Sequence, residues 1–95
     1  MENEEYNLDP EQVLNIAREA AKAQFVVWCN EGYEMLKEGS VLEKVADKEE
    51  ANLAMRRMLG LFIDNEEYEK CQFIKKSLDK HFPGETEPLF DYRHI

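Results

Sequence analysis

Positive charge is scarce in this chain: 12 Lys and Arg stand against 21 Asp and Glu over 95 residues, a formal net charge of −9. Binding to DNA or RNA draws its affinity from cations that displace counterions, so direct nucleic-acid binding is not expected, while a basic protein partner is compatible. Long hydrophobic runs are missing as well. No apolar stretch approaches the roughly 20 residues that cross a bilayer, and no basic N-terminal segment leads into one; a cytoplasmic protein without a membrane role is expected. The two cysteines, Cys29 and Cys71, are far apart and each sits inside an apolar helical pattern, which reads as core thiols in a reducing compartment rather than a disulfide. His81 and His94 have no ligand spacing to either cysteine, and there is no glycine-rich phosphate loop, so neither a metal nor a cofactor is expected.

What is present suffices for one core. The hydrophobic fraction is 43%, ordinary for a folded domain, and the length suits a single one. The organising stretch is Ala51 to Phe82, two helical patterns joined by the polar turn Asp64-Asn65-Glu66-Glu67. In the first, Ala51, Met55, Met58 and Phe62 recur at threes and fours, widened by Ala54, Leu59 and Leu61. In the second, Tyr68, Cys71, Ile74 or Lys75, Leu78 and Phe82 do the same. A period near 3.6 is what one buried helix face requires. The turn predicts a stop and a cap at Asp64-Asn65, with Glu66 and Glu67 in the first turn of the next helix, where carboxylates suit the dipole.

Upstream, Asp9-Pro10-Glu11-Gln12 combines an N-cap, a proline at the first helical position and a glutamine three residues on. The helix it starts runs to about Glu38, before Gly39. Leu14, Ala17, Ala21, Phe25, Trp28, Gly32 and Met35 follow at threes and fours, almost a heptad seam, and Val13, Ile16, Ala20 and Val27 widen it. Gly32 reads as a glycine tolerated under a bulky neighbour such as Trp28. Ser40-Val41-Leu42-Glu43 is a capping box, and Asp47-Lys48-Glu49-Glu50 a second start, so a short turn over residues 41–46 and a fresh helix after Asp47 are predicted. The expected fold is all-α: a small helical bundle with a long N-terminal helix packed on an α-hairpin. Residues 1–8 form a flexible lead-in whose Tyr6 and Leu8 can dock, 9–83 a single helical domain, and 84–95 a short polar and aromatic tail.

From Asn65 to Leu78 the sequence resembles the UVR motif, a helical hairpin of excision-repair nuclease subunits and some chaperone adaptors. Tyr68, Glu69, Cys71, Ile74, Lys75 and Leu78 occupy matching places, whereas Gln72 departs from the second small position and Lys75-Lys76 replaces an Arg-Asp pair. With the preceding helix the likeness spans residues 51–82. It implies a protein-protein docking hairpin, often paired with another.

No constellation of catalytic groups is recognisable. Glu49-Glu50 and Glu66-Glu67 are neighbours in sequence, and adjacent helix residues do not face one another, so the chain is read as not an enzyme. The segment of Phe25, Val26, Val27, Trp28 and Cys29 is apolar nearly all round, which suits burial by a second chain and predicts a homodimer or higher oligomer. Trp28 and Tyr33 on this helix, with Leu89, Phe90 and Tyr92 in the tail, are the candidate partner-binding residues; tail packing on its own bundle competes with that role, as core packing does for Trp28. Arg56, Arg57 and Lys76 are candidate anion-binding residues, and pairing of the two arginines with Glu49 or Glu50 is the alternative. The leading functional expectation is an interaction protein, an inhibitor or adaptor of the kind phages encode, that binds and modulates a host protein. Two alternatives are an acidic mimic of nucleic acid that blocks a DNA-binding protein, and an oligomeric sponge for a nucleotide-like anion.

Overall fold

In the computed structural model, which describes residues 9–39 and 41–94, the Asp9 carboxylate accepts from the Glu11 amide while Gln12 reaches back to the Asp9 amide. That reciprocal cap starts α1, Pro10–Lys37. The helix passes through Asn30 and Gly32 without a break, and Gly39, at φ +94°, takes the left-handed conformation that closes it. The short α2, Val41–Lys44, follows, and Asp47 then caps α3, Lys48–Asp64, by accepting from the Glu50 amide. The expected break between the two start signals is present. The Ser40 half of the capping box, the lead-in over residues 1–8 and Ile95 lie outside the described residues.

Helix α3 stops at Asp64 with Asn65 as its C-cap, as the turn predicts, but the chain leaves it differently from the expectation. Glu66 donates to the Ile63 carbonyl and Glu67 to the Phe62 carbonyl at 2.8 Å, with Glu66 at φ +57°. This is a Schellman closure carrying glutamate where glycine is usual. The following helix α4, Tyr68–His81, therefore starts later than predicted, with Glu67 at its cap and Glu69 as the acid of its first turn. Cations still gather at its far end, in Lys80 and His81, where they complement the dipole.

Packing is densest along α3. Met58, Leu59, Gly60, Leu61 and Phe62 are consecutive and all buried, and five successive helical residues point all the way round the axis. Three neighbours are needed to cover them. On one side α4 supplies Ile74 and Leu78, both fully buried, and on another α1 supplies Cys29. Side chains of this kind contribute about 2 kcal/mol each when fully buried. Ile74 rather than Lys75 faces the core, and Tyr68, expected on the buried stripe, is 61% exposed, because as the first residue of α4 it borders an open cleft with Leu59 and Ile63 of α3. Gly32 lies under Met58 of α3, with room for no more than a tight Cβ at 3.3 Å, not under Trp28.

The third neighbour is the C-terminal segment. Asn52, Arg56, Gly60 and Asp64 are spaced by four and form one row along α3. Asn52 donates to the Glu85 carbonyl at 2.9 Å, Arg56 Nε donates to the Glu87 carbonyl at 2.8 Å, and Leu89 N–H donates to the Arg56 carbonyl at 3.0 Å. At Gly60 a Cβ would run into the Leu89 carbonyl and the Phe90 ring, so only glycine admits the segment. The neighbour that Gly60 accommodates is thus the tail. A 3-10 turn, Asp91–His94, completes the chain as described.

Gly60→Ala should lower stability in the full chain, whereas in a chain lacking residues 84–95 the same change should raise it by up to about 1 kcal/mol through helix propensity. Urea denaturation of the four proteins checks the sign reversal; equal effects in both backgrounds would show that the tail does not rest on Gly60.

Candidate interaction surface

Burial along α1 divides the predicted seam in two. On the hairpin side Phe25, Val26, Tyr33 and Leu36 pack half-buried around the fully buried Cys29. On the other side Val13, Leu14, Ile16, Val27, Trp28 and Met35 are 45–58% exposed. From Pro10 to Ala20 every residue is exposed, so this half of the helix extends past the hairpin. Its side toward the hairpin turns polar there, with Glu11, Asn15, Arg18 and Lys22 following the packed residues in register. Hydrophobic residues persist on the side that α3 and α4 never reach. Such a distribution is the reverse of what a helix solvated at its free end needs.

Tyr33 does not stand on that exposed face. Its ring meets Phe62 edge-on at 5.8 Å and Phe73 at 5.4 Å, and Lys70 lies over it at 5.4 Å. Lys70 also donates to the Asn30 side chain at 2.7 Å and pairs with Glu67 at 2.9 Å. It is a half-buried cation clamping α4 to α1, with its ammonium over two aromatic faces. Tyr33 is accordingly a packing hub between helices. Asn30, a weak helix former, remains in α1 by donating back to the Val26 carbonyl and accepting from Lys70.

The tail residues Leu89, Phe90 and Tyr92 are half-buried on the protein's own bundle. Tyr92 stacks on Phe25 at 4.9 Å, and Phe25 on Trp28 at 5.6 Å, a ladder that ties the tail to α1. The Asp64 carboxylate accepts from the Tyr92 hydroxyl and from the Arg93 guanidinium, whose Nε lies 2.9 Å away. Arg93 also covers the Phe90 ring at 4.1 Å. Between these groups and α1 is a cleft of about 280 Å³ lined by Lys22, Phe25, Val26, Leu61, Asp64 and Tyr92.

Arg57 grips both oxygens of Asp91 through Nε at 3.1 and 3.0 Å, and Arg56 also donates to the Asn52 side-chain oxygen at 3.3 Å. Both arginines are engaged by the tail or by α3, not by Glu49 or Glu50. Lys76 is exposed on α4 and joins neither. The structure therefore does not gather the three candidate anion-binding cations into one pocket. The buried Asn52 was missed in the sequence; the signal was a polar residue three before Met55 on the face that ought to be apolar.

Burial pushes the Cys29 thiol up to about 12, and Cys71 is raised by burial and then by the charge of Glu67. Both remain protonated thiols, as free core-facing cysteines. Hydrogen bonds from Arg93 and then Tyr92 hold Asp64 below the usual carboxylate range. Tyr92 is pushed up to about 12, by burial first and by Asp64 second. Among the described residues no cluster of His, Cys, Asp and Glu could hold a metal ion, and no helix is long and apolar enough to cross a membrane.

Two outcomes follow from this geometry. Because the folded state lowers the pKa of Asp64, its contribution is complete above the unfolded value of about 3.9 and is lost as the pH falls through the folded value. The protection factor of the Arg93 amide, its exchange rate referred to that of the unfolded chain at the same pH, should fall on acidification before that of Leu78 does, and Asp64→Asn should show that loss of protection already at neutral pH. Trp28, 45% exposed and stacked on Phe25, should lose only about 1 kcal/mol on replacement by Ala, against the 3–5 kcal/mol of a buried tryptophan. Chemical denaturation in dilute protein distinguishes the two values. No family model, curated protein or solved structure matches the chain.

Proposed function

We propose that this chain is a non-enzymatic, cytoplasmic interaction protein that modulates another macromolecule by docking a polypeptide on the outer face of α1. The observation that carries the reading is the set of six large hydrophobic side chains, Val13, Leu14, Ile16, Val27, Trp28 and Met35, left 45–58% exposed along one 28-residue helix. Monomers rarely leave contiguous apolar patches beyond about 300–600 Å², and a helix without neighbours gains little stability from propensity alone. The tail, which offered a second docking peptide, is committed to α3 through Asn52, Arg56, Arg57 and Asp64. The docking hairpin implied by the UVR resemblance agrees in kind with a protein partner, though in this molecule α3 faces inward and α1 carries the open surface. The net charge of −9 favours a partner without an acidic surface and disfavours direct contact with nucleic acid.

A nuclease-treated pull-down from the native cell lysate tests this, using the wild type, Ile16→Glu and a deletion of residues 84–95. A protein retained at high salt, lost with Ile16→Glu and kept by the deletion is the expected result. A partner released by salt and indifferent to Ile16→Glu would replace this reading with acidic mimicry of nucleic acid.

A further inference from the structure

The cleft of about 280 Å³ between α1, the end of α3 and the 3-10 turn has a lining of two kinds. Phe25, Val26 and Leu61 give it apolar walls, continued by the ring of Tyr92, which lies on Phe25 at 4.9 Å. Its polar members are Lys22, Asp64, Asn65 and Arg93. Asp64 is already satisfied, because it accepts from both Arg93 and Tyr92. Lys22 is not: among the described residues it pairs with no carboxylate. Asn65 adds a side-chain amide able to donate.

Two cations therefore face one carboxylate, and no other acid lines the cleft. That is a local excess of positive charge in a chain of net charge −9, and a charged group beside low-dielectric walls draws a counter-ion more strongly than one in open water. Exposed carboxylates more than about 10 Å away are largely screened at ordinary salt. Asp64, Tyr92 and Arg93, whose titration the fold shifts, all stand on this cleft. Apolar walls combined with a few such polar groups are the usual make-up of a small-molecule site.

We infer that this cleft binds a small organic acid of one ring and one carboxylate, with the ring against Phe25, Val26 and Tyr92 and the carboxylate toward Lys22 and Asn65. The volume of about 280 Å³ lies at the lower edge of the roughly 300–1,000 Å³ of small-molecule pockets, which sets the size at a single ring. A cation would meet Lys22 and Arg93 with the only carboxylate already shared. Inorganic phosphate would satisfy the cations but leave the apolar walls unfilled. The site does not depend on the docking role of the outer face, since Phe25 and Val26 stand on the hairpin side of α1. It does depend on the tail, which supplies Tyr92 and Arg93. A ligand held there binds only the form with the tail in place and so stabilises that form.

Nuclear magnetic resonance titration of the isotope-labelled full chain tests the inference, with phenylacetate as the probe and 2-phenylethanol and 2-phenylethylamine as its neutral and cationic counterparts. Phenylacetate should move the amide signals of Lys22, Asn65 and Tyr92 saturably, with a Kd on the order of 1 mM for about ten non-hydrogen atoms in an open cleft. The alcohol should bind more weakly and the amine not at all. Lys22→Glu, at an exposed helical position, should weaken phenylacetate by about tenfold, because reversal removes one attraction and adds one repulsion. Its unchanged α3 and α4 signals would show that the fold is kept. Lys76→Glu, the same change of charge at an exposed site outside the cleft lining, should leave Kd within about twofold. At ten times Kd the protection factor of the Arg93 amide should rise about tenfold. Equal binding of all three compounds, or phenylacetate binding indifferent to Lys22→Glu, would overturn recognition of an acid. Saturable shifts confined to other residues, or none at all, would overturn the site itself.

Discussion

The constraint on which the molecule depends is the turn of α3 from Met58 to Phe62, where five consecutive residues are buried. A helix can hide one face against one neighbour, but hiding every direction at one level takes three. Helix α4 and helix α1 supply two. The third is the irregular segment 85–90, which carries backbone amides and carbonyls that must find partners wherever water is displaced. The row Asn52, Arg56, Gly60 and Asp64 answers that need: a side-chain amide, a guanidinium, an exposed helix carbonyl beside a missing side chain, and a carboxylate.

This arrangement explains why so many polar groups on α3 and the tail are spent internally. Arg56, Arg57 and Arg93 look like a store of positive charge in a chain that has little, yet each is bound to a carbonyl or a carboxylate of the same fold. Exposed ion pairs contribute little one at a time. Here they act together with the Phe25, Trp28 and Tyr92 stack, and their effect is to select one path for the segment over α3 and onto α1. The polar lock and the aromatic ladder meet at Tyr92, which takes part in both.

Helix α1 has the opposite economy. Its C-terminal half is anchored by Cys29, Tyr33 and the Lys70 to Asn30 contact, while its N-terminal half has no packing and leaves Val13, Leu14 and Ile16 exposed. Because α1 is one continuous helix, Pro10–Lys37, its exposed apolar face is already helical before anything docks on it. A preformed surface loses less conformational entropy on docking than a segment that must fold as it binds. That is the physical ground for treating α1 rather than the tail as the working element.

Helix boundaries were legible in the residues because their causes are local. The Asp9 and Asp47 caps, Pro10 and Gly39 act over three or four residues, and the 3.6 period marks which positions of α3 and α4 can be buried together. Local rules misplaced the start of α4, where Glu66 accepts a left-handed backbone that glycine would normally hold. What the residues did not disclose was which of two apolar stripes on α1 the hairpin would take. Nor did they show which arginine would meet which carboxylate, because Arg57 and Asp91 are 34 residues apart and any nearer glutamate looked as suitable. The sequence by itself determined the order of the α-helices and the caps of α1 and α3, since those follow from hydrogen bonds and propensities within a few residues. Only the tertiary structure decided which faces are covered, because burial depends on the joint fit of α1, α4 and the tail around one turn of α3, and that fit is not a property of any segment alone.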